Sequence, residues 1–108
     1  MKKITFFILV LFSLNLFAEE GVVFFFMDGN RLLKQLEKEN FEMAIGIGYV
    51  SGLVDSLILS RQACITGQHS VVQVSDVALK YLKENPSLRH HSAASILIPE
   101  FQKNFPCN

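Results

Sequence analysis

The sequence lacks a basic excess. It carries ten lysines and arginines against ten aspartates and glutamates. Lys2 and Lys3 stand in an N-terminal segment with the marks of an export signal, whereas every acidic residue lies beyond it. Without that segment eight basic groups face ten acidic ones, a net charge of −2. Nucleic acid and anionic bilayers both call for a basic face, so neither is expected as a partner. Internal repeats and low-complexity tracts are also absent, and no stretch reads better as a strand than as a helix. Cysteine is limited to Cys64 and Cys107, neither of them near the start of the chain, which argues against an N-terminal lipid anchor.

What stands at the N-terminus is a positive start, Met1-Lys2-Lys3, then a mostly apolar run from Ile4 to Phe17 broken only by Ser13 and Asn15. Ala18 is a small residue suited to a signal-peptidase site, and Glu19-Glu20 open a polar chain. Leu16 fits the small-x-small rule less well, so the cut is not fixed to the residue. The apolar run is about 14 residues, short of the roughly 20 that span a bilayer. Residues 1–18 are therefore expected to be a removed signal peptide. Residues 19–27 are an apolar lead-in, and residues 28–108 form one domain near the lower size limit for a core that holds without cross-links. In the oxidising compartment that export implies, Cys64 and Cys107 read first as a disulfide. In the chain-entropy account that closure stabilises by about 4 kcal/mol.

Four helices are expected. The first covers about Asp28 to Glu39, with Leu32, Leu33 and Leu36 on one side and Arg31, Lys34, Glu37 and Lys38 on the other. The second covers about Asn40 to Leu59 and is apolar around most of its circumference, the pattern of a buried central helix. It carries Gly46, Gly48 and Gly52, each costing about 1 kcal/mol in a helix interior. Such a seam suggests close approach of another backbone, from a neighbouring helix or a second subunit. The same glycines miss the dinucleotide fingerprint, since the third comes one place late and no strand precedes them. Ser60 to His69 reads as a polar loop held by Cys64. Ser70 and Gln73 form a capping box for the third helix, which Pro86 ends. Ser92 caps the fourth, whose stripe is Ala94, Leu97, Ile98, Phe101 and Phe105; Pro99 within it predicts a kink or a late start. The fold class is all-α, a compact four-helix domain.

Chemistry-bearing residues are few. A Cys64 nucleophile with His69 as base competes with the disulfide for the same sulfur. His90 and His91 point about 100° apart on a helix, and no third ligand stands near, so no metal site and no cofactor is expected. Asp55 on the second helix reads as a buried carboxylate that orders the core, with no second carboxylate in reach for acid–base work. Asp76 sits where a helix N-terminus favours negative charge. The chain does not read as an enzyme.

The residues do carry a resemblance. Gly29-Asn30-Arg31-Leu32-Leu33, Gly48-Tyr49-Val50-Ser51-Gly52 with Asp55, Cys64-Ile65, Tyr81-Leu82, Asn85-Pro86, Arg89-His90, Ala93-Ala94 and Phe105-Pro106-Cys107 resemble, in order and spacing, the Rap/Tai family of type VI secretion immunity proteins. The resemblance runs from about Asp28 to Cys107. It implies a periplasmic all-helical protein, often dimeric, that binds and occludes a cell-wall amidase effector. In such proteins a loop between two helices enters the effector's cleft. By position that loop is Ser60 to His69, with Arg61, Gln62, Gln68 and His69 as contact residues. Relatives often carry a further cysteine pair joining the first two helices, where this chain has Leu36 and Gly46, so Leu36 is expected to pack as an apolar side chain. An envelope interaction protein with no toxin partner is the alternative reading.

Overall fold

A computed structural model describes residues 26–108. The expected signal peptide and residues 19–25 of the lead-in lie outside the described residues. Helix α1 covers Gly29–Glu37, α2 Phe41–Leu59, α3 Val71–Glu84 and α4 Ala93–Asn104, with a 3₁₀ turn at Pro86–Leu88 between the last two. The domain is all-α, and among the described residues the sole strand-like pairing is an isolated bridge between Asp28 and Ser92.

Each boundary has a local cause. Asp28 Oδ1 accepts from the Arg31 N–H at 2.8 Å and caps α1. Asn40 turns the chain into α2 with a φ of 62° and a ψ of −127°, in the positive-φ half of the map that L side chains rarely adopt. Ser70 and Gln73 close the capping box of α3, each side chain accepting from the other's backbone N–H at 3.2 and 2.8 Å. Ser92 Oγ accepts from Ser95 N–H at 3.1 Å to start α4. Pro99 lies inside α4 but does not delay it, because the cap at Ser92 sets the start a full turn earlier.

Helix α1 packs on both α2 and α3, and α4 lies against all three. Leu32, Val50, Ala78, Leu82, Leu97 and Phe101 are fully enclosed at the centre. The chain's entry is fixed by backbone bonds: Gly29 N–H donates to His91 O at 3.0 Å, Asn30 N–H to Arg89 O at 2.9 Å, and Ala93 N–H to Met27 O at 2.9 Å. These draw α1 so close to the turn before α4 that a Cβ at Gly29 would lie 2.8 Å from Ile96 Cδ1 and 2.9 Å from the Arg89 backbone. Glycine is the residue that fits there. The Leu36 side chain is buried and packs at the α1–α2 crossing, where a Cβ on Gly46 would meet it at 3.1 Å.

Helix α2 departs from its expected burial. Its buried residues are Gly46, Val50, Val54 and Leu57, one side of the helix. Phe41, Met43, Ile45, Ile58 and Leu59 are exposed. Three other short helices cannot surround a helix of 19 residues, so its outer side stays open. The glycine seam divides accordingly. Gly46 is the point of intrachain approach, whereas Gly48 and Gly52 are exposed and a Cβ at either would meet nothing within 4 Å.

Candidate functional site: a tethered loop and its groove

The segment between α2 and α3 is built by the way α2 stops. Arg61 takes a φ of 59°, and its N–H donates to Ile58 O while Gln62 N–H donates to Leu57 O, at 3.0 and 2.8 Å. This is the Schellman pattern with arginine where glycine is the usual residue. Ser60 Oγ adds bonds to Ser56 O and Leu57 O. The Ser56, Leu57 and Ile58 carbonyls at the end of α2 are thus satisfied, and the chain reverses sharply.

Three tethers then hold the loop. Ala63 is fully buried, a small plug in the core. Cys64 N–H donates to Phe105 O at 2.9 Å, and its sulfur is bonded to Cys107 with the two Cα atoms 4.9 Å apart. The nucleophilic alternative for Cys64 is thereby removed, since no thiolate is present to attack. Gln62 Oε1 accepts from Gln102 Nε2 on α4 at 3.2 Å. Beyond Ile65, which packs on the core, Gln68 N–H donates to Thr66 O at 2.6 Å, and His69 sets the edge of its ring against Phe105 with centroids 5.4 Å apart. His69 Nδ1 also lies 3.4 Å from Thr66 O. Arg61, Gln62, Gln68 and His69, the four residues singled out from the sequence, are all exposed on this loop.

Beside the loop runs a groove of about 200 Å³ between the end of α2 and the start of α3. Its walls are mainly apolar, from Val54, Ile58, Ile65, Val71 and Val74, with Ser51, Asp55, His69 and Ser70 as its polar groups. Asp55 is exposed on this groove, which corrects the expectation of a buried carboxylate: α2 turns that face outward. His69 therefore shares a groove with Asp55, which the sequence placed far apart. Arg61, Gln62 and Gln68 do not line it. Ile58 and Val71 line the groove unannounced by the sequence, because nothing in an apolar residue's identity says which side of its helix will be covered. Leu59, next to the groove's helix end, is 85% exposed.

Among the described residues no group of three or more His, Cys, Asp or Glu side chains could hold a metal ion. His90 and His91 lie side by side in the turn before α4, ring centroids 4.0 Å apart and planes tilted by 39°. Burial raises the Tyr49 phenol above the usual tyrosine range, opposed in part by a backbone hydrogen bond at Ala94.

Comparison with known proteins adds the family. The family model described as Rap1a immunity proteins matches residues 28–107, from the cap of α1 to the second disulfide cysteine. No curated protein and no solved structure matches the chain significantly. The family match covers most of the chain, and the chain belongs to the Rap1a immunity family.

Proposed function

We propose that this member of the Rap1a immunity family binds a secreted effector through the 60–70 loop and its groove, and that the effector is a peptidoglycan amidase delivered by type VI secretion and stopped in the periplasm. The observation that carries the proposal is the tethered loop: four exposed polar side chains on a segment fixed by a disulfide, a Schellman turn and a helix cap. A loop ordered before binding avoids about 0.5–1.5 kcal/mol of ordering cost per side chain held. Arg61, Gln62, Gln68 and His69 supply hydrogen bonds to a partner, and the apolar walls beside them supply the desolvated anchor that tight interfaces use. The disulfide and the N-terminal signal pattern both support an oxidising compartment outside the cytoplasm. The protein acts by blocking a cleft and needs no cofactor.

The test is to express a candidate amidase in the periplasm with and without this protein. Protection from lysis is expected, and equal lysis in both cultures would end the proposal.

The open side of α2 supports a second association, of two copies of the chain. Gly48, Gly52 and Leu59 fall on one outward stripe, where the absent side chains let a facing helix come close. Light scattering during size exclusion is expected to give a dimer that Gly52→Leu converts to monomer. A monomer unaffected by the substitution would remove this reading.

A further inference from the structure

The groove beside the 60–70 loop has four polar groups, and three of them are engaged within the chain. Ser51 Oγ donates to Ile47 O at 2.8 Å, Ser70 is used by the capping box of α3, and the His69 ring rests against Phe105. The fourth, the exposed Asp55 carboxylate, has no hydrogen bond among the described residues, and no lysine or arginine lines the groove. Its position also works against the fold. Asp55 lies about a turn from the C-terminal end of α2, where the helix dipole disfavours negative charge, and the last turn holds no basic residue to offset it. Aspartate is among the poorer helix formers as well. The free domain therefore draws no stability from this carboxylate.

The walls set the size and character of an occupant. Val54 and Val74 are buried, while Ile58 and Val71 keep 40% and 49% of their surface in water. An enclosed apolar cavity of about 150 Å³ accepts benzene. The groove, at about 200 Å³, has room for one leucine or phenylalanine side chain and little more.

We propose that the groove receives a short basic segment of the effector: one large apolar side chain enters between α2 and α3, and a neighbouring arginine or lysine pairs with Asp55. This rests on the reading that the groove faces an effector, and it adds how one effector is told from another. A segment with an acidic residue at that place meets a like charge and is rejected.

The probes are three capped dipeptides, acetyl-leucyl-arginine amide, acetyl-leucyl-glutamate amide and acetyl-glycyl-arginine amide. Each is titrated into the disulfide-bonded protein with isotope-labelled isoleucine and valine methyls, followed by NMR. Saturable shifts at the Ile58, Ile65 and Val71 methyls are expected with leucyl-arginine. Binding of leucyl-glutamate should be about fivefold weaker, and that of glycyl-arginine about tenfold weaker or more. Asp55→Asn, at an exposed position, is expected to remove the preference for arginine over glutamate while the leucyl probes still bind. Equal binding of the two leucyl probes, a preference that survives Asp55→Asn, or no saturable shift at these methyls would each overturn the proposal. So would the same shifts on raising protein concentration alone, which would assign the groove to a second copy. The outcome is separable from the lysis test. Protection without discrimination between the probes keeps the immunity reading and removes this one, and discrimination without protection does the reverse.

Discussion

Arg61→Gly separates what the loop does for the fold from what it does for a partner. At a φ of 59° an arginine backbone is strained, and a left-handed conformation costs a residue with a Cβ about 1–2 kcal/mol. Glycine removes that cost but brings about 0.5–1 kcal/mol of extra unfolded-state freedom. The net is a gain of about 0.5–1 kcal/mol, or roughly 2–8 °C in Tm for a domain of this size. Urea unfolding followed by far-ultraviolet circular dichroism reads it directly, with an unchanged slope. Binding should move the opposite way. If Arg61 is a contact, losing its side chain weakens effector binding by about 2 kcal/mol or more, some 30-fold. Arg61→Ala is the control: it keeps the strained backbone, so stability stays near the starting value while binding falls as in the glycine variant. A less stable glycine variant would refute the conformational argument, and one that binds undiminished would remove Arg61 from the contact surface.

Other consequences follow from the same geometry. Reducing the Cys64–Cys107 bond should cost about 4 kcal/mol of stability and loosen the loop; denaturant midpoints with and without reductant measure it, and equal midpoints would contradict a structural role. Gly29→Ala should destabilise by about 1–3 kcal/mol, because its Cβ meets backbone as well as the tip of Ile96; a variant as stable as the parent would show that the α1 entry relaxes freely. Tyr81→Phe leaves Tyr49 as the sole tyrosine, and its phenolate absorbance should appear above the ordinary value near 10. Because the fold favours the neutral phenol, its contribution is intact below that value and is lost as pH rises through the raised one. Titration at or below the ordinary value would refute the burial account.

Much of this was legible in one sequence because local chemistry decided it. The caps at Ser70 and Ser92, the stop at Pro86 and the disulfide are choices between near neighbours or between two sulfurs, and the structure has each of them. The ordered fragments from Gly29 to Cys107 carried the family correctly. Burial was less legible. Helix α2 is apolar nearly all round, and composition alone cannot distinguish a helix enclosed by its neighbours from one with a side left for a partner. That error moved Asp55 from the expected core to the groove beside His69. It also separated Gly46, which meets Leu36, from Gly48 and Gly52, which meet nothing. The candidate loop could be placed from its flanking helices, but not the apolar walls of the groove beside it, since those depend on how α2 and α3 face each other.

The most direct test of the central claim is an inhibition titration. A purified candidate amidase effector from the same genome is assayed on peptidoglycan as this protein is added. Hydrolysis should fall to zero at a fixed stoichiometric ratio, and the endpoint should move to large excess when Arg61, Gln68 and His69 are replaced by alanine together. Undiminished hydrolysis at excess protein would contradict the account, as would equal inhibition by the substituted loop.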